Sequence, residues 1–120
     1  MLKKIKTIGS EAEEMAHNFL LEKGYRILFR NYRYKRLEID IIAEINEIIV
    51  FIEVKFRKNS RYGEPEIFVD EKKIQHMMEA AEAYLIERQI SRELRFDIIS
   101  IKKEGNQIQV EHFEDAFYHF

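Results

Sequence analysis

Apolar residues follow two different spacings along this chain, and each spacing predicts a different kind of element. In residues 10–23 and 70–88 they recur every three or four positions, which is typical of amphipathic helices. Ser10 is a candidate N-cap with Glu13 at the capping-box position, and Gly24 stands where the first helix is expected to end. The predicted core-facing positions are Ala12, Met15, Ala16, Phe19 and Leu20 in the first helix and Ile74, Met77, Met78, Ala81 and Leu85 in the second.

Five other segments carry strand patterns. They cover residues 25–34, 37–43, 48–55, 95–101 and 107–113, with a loop predicted over residues 57–66. The element order is helix, three strands, helix, two strands. This order predicts an α/β fold in which a mixed five-stranded sheet is flanked by one helix on each face.

Length and composition narrow the class of protein. A chain of 120 residues is expected to form a single domain over residues 1–120. The absence of cysteine excludes disulfides and thiolate zinc sites and fits a reducing cytoplasm. The start of the chain lacks the apolar core of a signal peptide, and the longest apolar run, residues 48–52, is too short to span a bilayer. We therefore expect a cytoplasmic protein with no membrane partner.

Two carboxylates and a lysine interrupt the apolar runs of the predicted second and third strands. If these strands form a hairpin around the two-residue turn at 46–47, Asp40 faces Glu53 and Glu38 faces Lys55. Facing side chains lie about 4.5–5.5 Å apart, so two carboxylates there need a proton or a cation between them. The pattern favours a divalent-metal site. The alternative is a pair of cross-strand salt bridges at a sheet edge.

Two helical residues are candidates to join this site. Glu13 borders the apolar stripe of the first helix, where it either serves as a capping acid or points over the sheet towards Asp40. Lys73 stands early in the second helix, an unfavourable place for a cation in the helix dipole. Either its ammonium pairs with a nearby anion or it is solvated.

Charge is distributed unevenly along the chain. The net charge of −2 argues against indiscriminate binding to polyanions. Basic residues nevertheless concentrate, without acids, in residues 26–36 and 55–61, on either side of the carboxylate pair. This pattern predicts contact with a polyanion at that place alone. The alternative is that lysines and arginines occupy exposed strand ends.

Several other classes of site lack a signature here. The four histidines show no metal-ligand spacing, and no glycine-rich phosphate loop is present. No serine or cysteine has the setting of a nucleophile. These features disfavour kinases, NTPases, dehydrogenases and nucleophile-dependent hydrolases.

Motifs spread over nearly the whole chain resemble one family. The matching segments are Glu13-Glu14-Met15-Ala16, Lys23-Gly24-Tyr25, Arg30-Asn31-Tyr32-Arg33, Glu38-Ile39-Asp40-Ile41-Ile42, Val50-Phe51-Ile52-Glu53-Val54-Lys55, Tyr62-Gly63-Glu64-Pro65, Lys73, Ala80-Ala81 with Tyr84-Leu85, Arg95-Phe96-Asp97, and His112-Phe113 with Ala116-Phe117. Together they resemble the YraN-type family of predicted endonucleases. That family is similar to the archaeal Holliday-junction resolvases of the PD-(D/E)XK nuclease superfamily.

The resemblance implies a restriction-endonuclease-like αβββαβ core and a metal-dependent endonuclease acting on branched or structured DNA. It implies that Asp40 and Glu53 bind Mg²⁺ or Mn²⁺, helped by the backbone carbonyl of Val54. Lys55 is implied to position or activate the attacking water. Glu13 matches a helix-borne acid that joins the metal site in resolvase-like relatives.

Other residues are expected to have supporting and substrate-contacting roles. Glu38 and Lys73 are expected to support the site. The expected nucleic-acid contacts are Arg33, Arg57, Lys58, Arg61 and Tyr62. Tyr62 either stacks on an exposed base or packs within the protein. DNA is a better-supported partner than RNA, and symmetric cutting of two strands favours a homodimer.

Two departures from the family pattern keep alternatives open. Ala12 and Leu37 stand where the family usually has glycine, and a missing glycine changes how closely a phosphate or backbone approaches. One alternative is therefore a nucleic-acid- or partner-binding module that keeps the nuclease fold without turnover. Another is a structural subunit that binds no nucleic acid.

Overall fold

A computed structural model describes residues 8–58 and 70–117. The elements are α1 (Ile8–Glu22), β1 (Arg26–Tyr34), β2 (Leu37–Ile45), β3 (Ile48–Lys58), α2 (Glu71–Glu87), β4 (Leu94–Glu104) and β5 (Gln107–Phe113). Their order is the predicted one. Neither helix is long and apolar enough to cross a membrane.

The five strands form one mixed sheet in the order β1-β2-β3-β4-β5. β3 and β4 are parallel, and every other neighbouring pair is antiparallel. The parallel pair requires a crossover connection, and α2 supplies it. Hydrophobic clusters lie on both faces of the sheet, one under α1 and one under α2. The predicted α/β architecture with a helix on each face is confirmed.

The first helix differs from the prediction at only one of its two ends. It starts at Ile8, so Ser10 lies inside the helix and is not its N-cap. Its end is as expected: Gly24 has a φ of +91°, and the N–H of Tyr25 donates to the carbonyl of Leu20 at 3.0 Å. This left-handed glycine and its hydrogen bonds form a Schellman motif, which satisfies the last carbonyls of the helix.

The second helix begins where the sequence indicates. The Asp70 side chain caps it by accepting a hydrogen bond from the N–H of Lys73 at 2.8 Å, and Arg88 is the C-cap. The prediction that Met78 faces the core is wrong, because 46% of the residue is exposed. The buried stripe is instead Met77, Ala80, Ala81 and Tyr84. Met78 lies one position, or about 100°, away from that stripe.

β3 runs further than predicted. Arg57 and Lys58 belong to the strand, where they pair with Lys102 and Lys103 of β4. The prediction that a loop begins at Arg57 is therefore wrong. That prediction takes the end of the apolar run as the end of the strand. Strand pairing depends on backbone groups, so a long parallel neighbour can continue the strand beyond the apolar core.

Asp97 of β4 is the only charged residue fully buried in the described part of the chain. The Arg95 guanidinium donates to both of its oxygens, at 2.9 and 2.8 Å, and the Asp115 N–H donates at 3.0 Å. His112 Nε2 lies 2.7 Å from Oδ2. Burial raises the pKa of Asp97, but the hydrogen bonds from His112, Arg95 and Asp115 outweigh it and hold the pKa below its usual value.

This buried cluster extends to the end of α1. Lys23 Nζ lies 2.7 Å from His112 Nδ1, and Arg95 donates to the Tyr25 hydroxyl at 2.8 Å. A lysine ammonium can only donate, so Nδ1 accepts and the imidazole proton faces Asp97. The cluster therefore ties β4 and β5 to the junction between α1 and β1.

The turn between β2 and β3 carries conformational strain. Asn46 and Glu47 have φ values of +48° and +66°, the pattern of a type I′ hairpin turn. Asparagine tolerates this region, whereas an ordinary side chain such as glutamate costs about 1–2 kcal/mol there.

Replacing Glu47 with glycine is expected to stabilise the protein by about 0.5–1 kcal/mol, because relief of the strained φ exceeds the added chain entropy. Chemical denaturation measures the free energy of unfolding. Glu47→Ala is the matched control, since it removes the carboxylate but keeps Cβ and should give little of this gain. Equal stabilisation by both variants would show that charge, not backbone strain, is the cause.

Candidate metal centre

Asp40 lies where β2 stops pairing with β3. The ladder runs in the predicted register up to the pair Ile41–Ile52, and Asp40 and Glu53 follow immediately. They do not continue it. The backbone N–H of Val54 instead donates to Asp40 Oδ2 at 2.8 Å, so the aspartate side chain takes the place of a strand partner. The predicted facing of Asp40 and Glu53 as a ladder pair is therefore wrong, although the register that brought them together is confirmed.

Side-chain alternation also breaks beside Asp40. Ile39 packs in the cluster under α2 but Ile41 packs in the cluster under α1, although residues two apart on a strand normally share a face. On the neighbouring strand, Asn31 has a φ of +56°, and the β1–β2 ladder skips the pair Asn31–Asp40. Irregularities of this kind re-aim side chains next to functional sites. Here the break turns the Asp40 carboxylate towards α1.

Three carboxylates meet at this break. Glu13 of α1 and Glu38 and Asp40 of β2 each offer an oxygen, and the three oxygens lie within 4.8 Å of one another. We call these residues the acidic triad. With its amide oriented to satisfy both neighbours, Asn31 donates to Glu13 at 2.7 Å and to Glu38 at 3.0 Å. The sequence singled out all three acids but missed the role of Asn31, whose only signal was its place between Arg30 and Tyr32 in a family-like motif.

Like charges and burial act together on Asp40. Burial raises its pKa, the Val54 N–H opposes that rise, and the carboxylates of Glu53, Glu13 and Glu38 add to it, giving a pKa of about 7. Burial also raises the pKa of Glu13, as does Glu38, while Arg30 lowers it. The triad therefore favours a bound proton or a bound cation at neutral pH.

Glu53 lies beside cations rather than within the triad. Lys73 Nζ is 3.0 Å from Glu53 Oε1, which explains why a lysine occupies the unfavourable first turn of α2. Lys55 follows Glu53 on the same face of β3. Burial lowers the pKa of Lys55, Glu53 opposes this shift, and the positive charges of Arg57 and Lys73 add to it. The site thus has an acidic side on β2 and α1 and a basic side on β3 and α2.

The remaining predictions concern the Glu38–Lys55 pair and the nucleic-acid contacts. The Glu38 carboxylate pairs with Arg33 Nε at 3.2 Å, so the expected ladder pair of Glu38 with Lys55 is not formed. Arg57 is half-buried at the end of β3, and Lys58 beside it is exposed. Arg61 and Tyr62 lie outside the described residues.

This donor set fits a hard divalent cation. Mg²⁺ and Mn²⁺ prefer carboxylate and carbonyl oxygens, and Mg²⁺ is commonly held by one or two carboxylates with water and phosphate oxygens completing its shell. Asp40 is the natural shared ligand, because it lies within the acidic triad and its pKa is also raised by Glu53. The neighbouring lysines supply positive charge for an anion on the opposite side.

Replacing Asp40 with asparagine is expected to flatten the pH dependence of stability. The folded pKa of about 7 exceeds the ordinary value of 3.8, so the stabilising contribution of Asp40 is present below pH 3.8 and is lost as pH rises through 7. After allowance for partial exposure, we expect Asp40→Asn to be more stable than wild type by about 1–3 kcal/mol near pH 8 and similar near pH 4.

Urea denaturation at both pH values, with a chelator present, measures this difference. Asp115→Asn controls for the loss of one negative charge at an exposed aspartate. An Asp40→Asn difference that is the same at both pH values would contradict the expected penalty on the ionised carboxylate.

Comparison with known proteins places the chain in a family. A model described as "Uncharacterised protein family UPF0102" matches residues 12–101. A UPF0102 protein of Flavobacterium psychrophilum is 44% identical over 113 residues, covering 94% of this chain and 95% of that relative. UPF0102 proteins of Phocaeicola vulgatus and Geobacter metallireducens are 43% and 41% identical, covering 92% and 93% of this chain and 91% and 93% of those relatives. The family resemblance is confirmed at this level, and the link to nucleases stays a prediction. The chain belongs to the UPF0102 family.

Proposed function

We propose that this protein is a metal-dependent endonuclease that hydrolyses phosphodiester bonds, with branched or structured DNA as its substrate class. The observation that carries the proposal is the acidic triad at the break between β2 and β3, with the ion pair of Glu53 and Lys73 on the neighbouring strand and helix. A cation-binding acidic side and a phosphate-binding basic side are what such a reaction requires. The resemblance to resolvase-like nucleases supports the same function.

Asp40 is the proposed principal ligand of Mg²⁺ or Mn²⁺, with Glu13 and Glu38 on one side and Glu53 and the Val54 carbonyl on the other. When bound, the cation supplies a more acidic water and offsets charge that develops on the scissile phosphate. This set differs from the sequence-based expectation in one respect. Glu38 joins the ligands, because its oxygen lies within 4.8 Å of those of Glu13 and Asp40.

The basic side has the second role. In hydrolysis the water loses a proton as its oxygen bonds to phosphorus, the phosphorus–oxygen bond to the leaving sugar breaks, and the leaving oxygen gains a proton. Lys55 is proposed to hold the attacking water and the non-bridging oxygens in place. Lys73 neutralises Glu53 before substrate arrives and is proposed to contact the phosphate once substrate is bound. Arg33, Arg57 and Lys58 are proposed contacts to flanking phosphates, which position the strand without reading its sequence.

A second candidate function is a nucleic-acid-binding module without turnover. The ion pair between Glu53 and Lys73 favours it, because a carboxylate already paired with an ammonium is a weaker cation ligand. In both functions the protein is proposed to act in the cytoplasm on nucleic acid, as a monomer or a homodimer.

Calorimetric Mn²⁺ titration tests the site, and a cleavage assay on the same proteins tests turnover. We expect wild type and the control Asp115→Asn to bind Mn²⁺ and Asp40→Asn to lose binding, because the shared ligand is gone. Lys55→Met should keep Mn²⁺ binding and lose cleavage by about 10²- to 10³-fold, the usual contribution of one donor that stabilises charge developing in the transition state. Cleavage is measured on four-way, flapped, nicked and linear DNA and on RNA, with either metal.

The two candidate functions give different results. Metal binding and cleavage that both depend on Asp40 support the endonuclease. Salt-sensitive binding of nucleic acid with no cleavage of any substrate supports the binding module. Wild type that neither binds Mn²⁺ nor cleaves any substrate would exclude the endonuclease.

A further inference from the structure

An open cleft lies between the tip of the β1–β2 hairpin and α2. Its volume is about 360 Å³, within the range of roughly 300–1,000 Å³ that ligand clefts have. The described residues that line it are Tyr34, Lys35, Arg36, Leu37, His76 and Glu79. We call it the hairpin cleft.

The hairpin cleft adjoins the candidate metal centre. Leu37 is three residues before Asp40 on β2, a distance of about 10 Å along the strand. His76 is one helical turn beyond Lys73, so the two side chains are neighbours on α2. A strand passing Glu53 and Lys73, on the α2 side of the candidate centre, would therefore reach the cleft within about three stacked nucleotides, at roughly 3.4 Å each.

The cleft continues into a shallow groove along β1 and the end of α2. Tyr34 and Lys35 line both, and the groove has a volume of about 860 Å³. At its far end the Arg88 guanidinium lies 5.4 Å from the ring centroid of Phe29 and 4.1 Å from that of Tyr84. Phe29 and Tyr34 therefore contribute aromatic rings to the groove, and Arg88 and Lys35 are the cations next to those rings.

The charge of this surface differs in sign from that of the whole chain. The basic residues lining the cleft and groove are Arg33, Lys35, Arg36 and Arg88, and the acidic ones are Glu79 and Glu87. The lining therefore has an excess of positive charge, whereas the chain carries −2. A polyanion is the complementary partner.

We propose that the hairpin cleft and its groove bind a single-stranded segment of nucleic acid that leads to the metal centre. Lys35 and Arg36 contact phosphates at the exposed hairpin tip. Lys35 Nζ lies 5.3 Å from the centroid of the Tyr34 ring in the free protein, and its move to a phosphate opens that ring to an unpaired base. His76 and Glu79 present a donor or acceptor and an acceptor to the edge of that base. The direction of the strand rests on the proposed function, but the binding itself does not.

Single-stranded nucleic acid fits better than a duplex. A duplex stacks its bases inside and offers a protein chiefly phosphates and groove edges, so an aromatic lining would gain nothing from it. Single-strand binding proteins combine cations that follow the backbone with aromatic rings that take successive bases. An acidic peptide shares the charge but not the stacking bases, so it is one outcome of the test.

Fluorescence anisotropy with a labelled oligodeoxythymidylate of about twelve nucleotides tests the proposal, in a chelator so that the metal centre plays no part. We expect Lys35→Gly/Arg36→Ala to weaken binding and lower the slope of log affinity against log salt by about 0.7 for each phosphate that the variant no longer binds. Glycine is used because Lys35 has a φ of +57°. Arg92→Ala/Lys103→Ala, at exposed positions outside the cleft, removes the same charge and should match wild type.

Stacking has its own readout. Tyr34→Leu keeps an apolar side chain and should weaken binding about 5- to 100-fold with an unchanged salt slope. The imidazole NMR signals of His76 should move on adding the oligonucleotide, while those of His112, which is buried on the other face of the sheet, stay in place.

The failure of this proposal is separable from the failure of the proposed function. Wild type that binds the oligonucleotide in chelator but neither binds Mn²⁺ nor cleaves any substrate would support this proposal while excluding the endonuclease. Cleft variants that bind like the matched control overturn the proposal. So does equal or tighter binding of a duplex, or of a polyglutamate peptide of the same charge.

Discussion

The candidate site depends on one hydrogen bond, from the backbone N–H of Val54 to the carboxylate of Asp40. In a regular ladder that N–H would meet a backbone carbonyl, and the two strands would stay side by side. Because a side chain accepts the bond instead, β2 and β3 separate after Ile41 and Ile52. The Asp40 carboxylate is consequently held in a half-buried position where its own charge is unfavourable.

That position divides the charges of the site between its two sides. The acidic triad collects on the side of α1, and Glu53 turns to Lys73 on the side of α2. A protein that needed only stability would gain by replacing such a cluster with apolar residues. The buried cluster around Asp97 shows the opposite design, since each oxygen of that carboxylate is satisfied and its pKa is lowered. The charge of the Asp97 cluster is balanced within the chain, whereas the acidic triad favours a bound proton or a bound cation.

The sequence predicted most of the fold because the signals were local. Helical periodicity, the start of α2 at Asp70 and Gly24 as a helix stop are determined by a few neighbouring residues. The errors arose where contacts between residues distant in sequence determine the structure. Strand pairing with β4 carries β3 past the apolar run to Lys58, and the sheet selects which side of α2 is buried, leaving Met78 exposed.

For the site, the sequence by itself determined which residue types are present and the hairpin register that brings Asp40 close to Glu53. Only the tertiary structure decided which acids meet, because the break in alternation at Asp40 depends on Asn31 of a different strand and on α1 packed above. It likewise decided that Lys73 neutralises Glu53, a contact across 20 positions of the chain. Periodicity assumes regular strands, and the candidate site of this protein lies where a strand is irregular.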